Sequence, residues 1–103
     1  MIKVSVLYEN SEGKSFDMGY YLSKHIPMVK QTLGSACKHV YVDQGLGGAQ
    51  PGSRPAYLAM GHMLFDSVDA FQKSFGPHAD SLLADIPKFT SVQPVIQISE
   101  VKM

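Results

Sequence analysis

A chain of 103 residues, 45% of them apolar, has material for one modest hydrophobic core, so a single domain over residues 1–103 is expected, with oligomerisation a natural supplement to its stability. Nine basic residues balance nine acidic ones and neither sign clusters, which argues against nucleic acid and against a membrane surface as partners. The one cysteine, Cys37, has no second cysteine for an internal disulfide or a zinc motif; with no charged leader and no apolar run near the ~20 residues of a membrane span, a soluble cytoplasmic protein is expected.

The first element is a strand, Ile2 to Tyr8, with Ile2, Val4, Val6 and Tyr8 on one face. After a polar turn, Asp17 is a good N-cap and Phe16 a hydrophobic staple for a helix that Gly34 ends. At about 100° per residue, Met18, Tyr21, Leu22, His25, Met28, Val29 and Leu33 form its apolar stripe, while Tyr20, Ser23, Lys24, Lys30 and Gln31 lie opposite. Pro27 removes a backbone donor inside that pattern, so a kink or break is expected near His25 and Ile26.

Residues 38–46 read as a second strand, Val40, Val42 and Leu46 alternating against His39, Tyr41 and Asp43. The segment GLGGAQPGSRP (45–55) is a loop; it lacks the Lys-Ser or Lys-Thr of a phosphate loop. The third strand, 56–65, is apolar on both parities, as in a strand covered on both faces. Asp66 is expected to cap a second helix that buries Val68, Phe71 and Phe75, and Gly76-Pro77 breaks it. A short helical turn presents Leu82, Leu83 and Ile86 before Pro87, and a last strand runs from about Val92 to Val101.

Strand, helix, strand, strand, helix, strand is the order of a ferredoxin-like α+β fold, an antiparallel sheet with both helices on one face. The other face is too apolar to be left in water, and the economical cover is a second copy: a homodimer closing into an α+β barrel.

Three stretches, KVSVLYENSEGKSFDMGYYLSKHIPMV, FDSVDAF and DIPKFTSVQPVIQISE, resemble the EthD family, named from proteins encoded beside an ethyl tert-butyl ether degradation system. The pattern FD-x-x-YY-x-x-x-H-x-P is the most specific part. The resemblance spans nearly the whole chain and implies a dimeric α+β barrel. That superfamily includes cofactor-independent monooxygenases, muconolactone isomerases, polyketide cyclase-like and haem-dependent enzymes, so the fold does not select a reaction.

His25 matches the histidine of the family motif and is the first candidate for chemistry. An imidazole there suits acid/base work on a small carbonyl, lactone or aromatic metabolite, without a cofactor. Tyr21, one turn earlier on the same face, could donate to a substrate oxygen. The competing reading has His25 donate to a backbone carbonyl freed by Pro27 and pin the kink. His62, beside Gly61, and Tyr57 are further candidates for the wall of a ligand pocket, with a core or interface position the alternative for His62 and core filling for Tyr57. His78 is expected in solvent. The histidines show no metal-ligand spacing, so no metal site is expected, and no Ser/His/Asp order is legible. An apolar pocket of this kind fits either an enzyme or a non-catalytic binding protein accessory to a degradation pathway.

Overall fold

The computed structural model describes all 103 residues. Four strands, β1 (Ile2–Glu9), β2 (His39–Gln44), β3 (Tyr57–Phe65) and β4 (Val95–Glu100), form one sheet in the order β2-β3-β1-β4, with every neighbouring pair antiparallel. This is the ferredoxin-like α+β arrangement. Alternation along β1 puts Ile2, Val4 and Tyr8 into the core under the helices, and turns Lys3, Ser5 and Leu7 to the other face. Phe65 and Ala59 from β3 are fully buried on the helical side. Burying a side chain the size of Phe65 is worth about 2 kcal/mol.

Helix α1 occupies residues 18–33 and changes pitch along its length. An α-turn, Met18–Tyr20, leads into a π-helical turn, Tyr21–His25, and an α segment, Ile26–Leu33. Asp17 caps its start by accepting from the Tyr20 amide. The expected disturbance by Pro27 takes this form: the ring sits in the first turn of the last segment, where its missing N–H costs least, and the wider turn closes through Ile26 N–H to Tyr21 C=O. Tyr21, His25, Val29 and Leu33 face inward, but Leu22, expected in the stripe, is 50% exposed because Tyr21 beside it takes the inward position. Gly34 follows with φ of 62°, as the helix ending required.

Helices α2 (Val68–Phe75) and α3 (Ala79–Ala84) lie on the same side of the sheet as α1, joined by a 3₁₀ turn at Gly76–His78. The cap of α2 is Ser67, which accepts from the Ala70 amide, rather than Asp66. Strand β4 starts at Val95, three residues later than the alternation suggests, because Val92 is buried against Tyr8 and Phe89 instead of being hydrogen-bonded into the sheet. A backbone clip ties the start of α1 to the segment after α3. Phe16 pairs with Thr90, the Asp17 amide donates to Phe89 C=O (2.8 Å), and Thr90 Oγ1 donates to Ser15 C=O (2.7 Å).

Candidate active site

The site begins with two polar residues placed on two apolar stripes. His25 sits on the buried face of α1, and Asp85 follows Leu82 on the inward side of the α3 segment. Both are more than nine-tenths buried, at 6% and 8% exposure, and His25 Nδ1 lies 2.9 Å from Asp85 Oδ2. The other carboxylate oxygen accepts from Tyr20 OH at 3.0 Å and lies 3.4 Å from Lys88 Nζ. Burial works against the charged carboxylate, but the hydrogen bonds from His25 and Tyr20, with the positive charges of His25 and Lys88, outweigh it and hold Asp85 below the usual carboxylate range. Asp85 is therefore an acceptor, so Nδ1 carries a proton, and in the neutral form of the ring the lone pair lies on Nε2.

His25 is packed face to face with Tyr21 (ring centroids 5.6 Å apart, 16° between planes) and against Phe89 at 4.7 Å. These contacts fix the ring plane, and the π-helical turn sets the angle from which both residues project. Beyond the ring lies a cavity of about 80 Å³ between α1 and the sheet. Its walls are almost wholly apolar, with Val4, Val29, Met63, Phe71 and Leu82 among them; His25, Tyr21 and Tyr8 supply the polar atoms. Nε2 makes no hydrogen bond within the chain, and no side-chain nitrogen or oxygen sealed from solvent lacks a partner, so this nitrogen opens on accessible space.

Gly61 explains how the tyrosine fits. A Cβ at that position would collide with the Tyr21 hydroxyl, so the strand forgoes a side chain where the phenol oxygen rests. The missing side chain leaves space on β3, and Tyr21 reaches into it. Burial pushes the Tyr21 phenol up to about 12 and the Tyr8 phenol higher still, with Tyr21 adding to the push on Tyr8.

The other candidates are placed differently. His25 does not pin a backbone carbonyl; its partner is a carboxylate 60 residues away. His62 borders the cavity, yet its ring stands on the opposite face of the sheet, paired with Ser5: Nδ1 is 2.8 Å from Ser5 Oγ and Nε2 3.4 Å from Asp43 Oδ2. Tyr57 is half-buried and outside the cavity lining. A register shift between Tyr8 and Glu9 sets it opposite Glu9, so the bulge at Leu58 cancels the inward parity expected of it. His78 is exposed, and His39 stacks on Tyr41 at 6.0 Å. No three of the His, Cys, Asp and Glu side chains gather into a ligand set for a metal ion.

Asp85 and Tyr8 are the residues that sequence reasoning missed. The signal for Asp85 was present: a carboxylate three residues after Leu82 and next to Ile86 lies on a buried stripe, as His25 does. Two titratable groups on two apolar stripes of one small core are each other's most economical partners.

The EthD domain model matches residues 12–93, four-fifths of the chain and all of this dyad. The chain belongs to the EthD family. An EthD-like protein from Ralstonia eutropha shares 44% identity with a TM-score of 0.94, over 99% of this chain and 92% of that one. An ethyl tert-butyl ether D (EthD) family protein from Bacillus halodurans superposes with a TM-score of 0.68 at 18% identity, over 99% of both chains. At 10% identity, a putative antibiotic biosynthesis monooxygenase from Bordetella bronchiseptica shares the fold alone, with a TM-score of 0.61 over 99% of this EthD protein and 96% of that chain. No curated protein matches the chain. No helix of this EthD protein is long and apolar enough to cross a membrane.

Proposed function

We propose that this EthD protein is a cofactor-independent acid/base enzyme acting on a small carbonyl, lactone or aromatic metabolite, with His25 Nε2 as the proton carrier and Asp85 as the residue that positions it. The observation that carries this reading is the 2.9 Å bond between two buried titratable groups, with the second ring nitrogen left for the cavity. Asp85 holds the tautomer in which Nε2 is a base, and stabilises the imidazolium once a proton has been taken. A proton removed from one atom of a substrate and returned to another is redox-neutral, so the step requires no cofactor. Isomerisation, lyase chemistry or the deprotonation that precedes a cofactor-free oxygenation would all start this way. Gly61 and the aromatic packing around Tyr21 support the same reading, because they make the site rigid.

The working unit of this proposal is a cytoplasmic homodimer. The sheet face away from the helices leaves Tyr41 and Val95 about half exposed and Leu7, Met60 and Leu64 partly so, which a second sheet would cover. Light scattering that returns a monomer at micromolar concentration contradicts the dimer.

Deuterium exchange at acidic C–H positions, followed by NMR over a panel of small ketones, β-diketones and lactones, tests the chemistry. Wild type is expected to exchange at least one of them, and His25→Ala to lose about 100-fold or more of that rate. Exchange that persists in His25→Ala overturns the role of His25. A ligand that raises the thermal midpoint of wild type and not of His25→Ala, with no turnover, supports instead a non-catalytic binding protein using the same cavity.

A further inference from the structure

The helical side of the sheet carries two polar atoms that the fold does not use. Tyr8 is 1% and Tyr21 2% exposed, and both line the cavity. Of the neighbouring tyrosines only Tyr20 has its hydroxyl hydrogen-bonded, to Asp85. No sealed side-chain oxygen lacks a partner, so the hydroxyls of Tyr8 and Tyr21 open on the cavity itself. Their rings meet edge to face, 6.0 Å between centroids and 80° between planes, from adjacent positions on β1 and α1. Phenylalanine would pack as well here: Phe16 and Phe89 fill the same cluster at 5.0 and 5.8 Å from Tyr8. The hydroxyls are moreover accommodated at a cost, since β3 gives up a side chain at Gly61 for one of them.

We propose that Tyr8 and Tyr21 form a two-donor oxygen site, and that the oxygen it takes is the enolate oxygen of a small, uncharged, apolar carbonyl compound with an acidic α-hydrogen. The identity of the bound oxygen rests on His25 acting as the base; the existence of the site rests on the unpartnered phenols alone. In the step, His25 Nε2 takes the α-proton, the C–H pair becomes the new C=C bond, and the C=O π pair moves onto oxygen, where both hydroxyls donate to it. Where the substrate is β,γ-unsaturated, the enolate is a dienolate, and delivery of the proton from Nε2 to its γ-carbon moves the double bond into conjugation and restores the C=O. That completes an isomerisation, and nothing is oxidised or consumed. Because burial keeps both phenols protonated, they are donors across the neutral range. Their bonds strengthen as charge develops on the oxygen, the condition for an oxyanion site to accelerate a reaction.

Size and lining narrow the class further. The cavity of about 80 Å³ is roughly half of the ~150 Å³ that takes up benzene in an engineered core, so the substrate is small and entry requires the rim to move. Lys88 is engaged by Asp85, and no lysine, arginine, aspartate or glutamate lines the cavity, which disfavours carboxylates and phosphates.

Two probes of one shape test the site: para-fluorophenol, whose oxygen imitates the enolate, and para-fluorotoluene, which has no oxygen. Dissociation constants are read by fluorine NMR at mildly alkaline pH in wild type, Tyr8→Phe and Tyr21→Phe. Expected are a preference for the phenol of about tenfold or more in wild type, a bound fluorine shift moved toward the phenolate, and loss of about tenfold of that preference in each variant. Affinity for para-fluorotoluene should not change, and because neither hydroxyl has a partner within the chain, both variants should keep the wild-type thermal midpoint. Equal affinity for the two probes, no binding of either at millimolar concentration, or a preference that survives both substitutions overturns the oxygen site. A tyrosine-dependent preference without any exchange catalysis keeps the oxygen site and removes the enzymatic reading; His25-dependent exchange with a preference indifferent to both tyrosines does the reverse.

Discussion

On the helical side of the sheet His25 meets Asp85; on the bare side His62 meets Ser5 and Asp43. The residue types are similar and the wiring is not. His25 gives one nitrogen to a carboxylate that is itself buried and tied by Tyr20, and keeps the other for a cavity. His62 has both nitrogens engaged, one by a serine and one by a carboxylate that is 62% exposed. A buried carboxylate acts across a low dielectric, so it polarises its partner strongly; an exposed one shares its field with water and high dielectric. Of the two histidines, His25 therefore has the environment of a proton carrier and His62 that of a surface bridge.

Removing each carboxylate separates the two most sharply. Asp85→Ala leaves the His25 ring and the Tyr20 hydroxyl without their acceptor, and urea unfolding should report a loss of about 3 kcal/mol. Filling the space under Tyr21 comes next. Gly61→Ala should cost about 2 kcal/mol by overpacking, and Tyr21→Phe in the same chain should recover most of it by removing the obstructing oxygen.

Acid supplies a gentler probe. Asp85 titrates lower in the folded chain than in the unfolded one, so its contribution is complete above the ordinary aspartate value of about 3.9 and is lost as pH falls through its depressed folded value. The thermal midpoint should therefore drop steeply on the acid side of that value, and Asp85→Asn should flatten that limb. The smallest effect belongs to the bare face, where Asp43→Asn should move stability by no more than about 0.5 kcal/mol. A larger loss would mean that His62 is as tightly wired as His25, and the contrast between the two faces would fail.

Much of this could be read from the chain. Period-two alternation in β1 and β2 and the stripe of α1 pointed to the sheet, its helical face and the inward position of His25, because each depends on local geometry. Asp85 escaped notice because its partner is 60 residues away and only the closed fold brings the two stripes together. Tyr57 was misplaced by a single bulge residue, Leu58, which reverses parity without any glycine or proline to announce it. Leu22 was misplaced by the π-helical turn, whose pitch a count at 100° per residue cannot follow. Tyr8 looked like ordinary strand filling, and only its unpartnered hydroxyl distinguishes it from a phenylalanine.

The clip between Phe16 and Thr90 has a kinetic corollary. By joining the chain just before α1 to the chain just after Asp85, it anchors both halves of the dyad with backbone hydrogen bonds. Breathing of the cavity wall is expected instead at its exposed lining residues Leu83 and Ile96, which are 43% and 45% exposed. Amide exchange should accordingly be slow at Asp17 and faster around Leu83, a door that swings while its hinge post stands still.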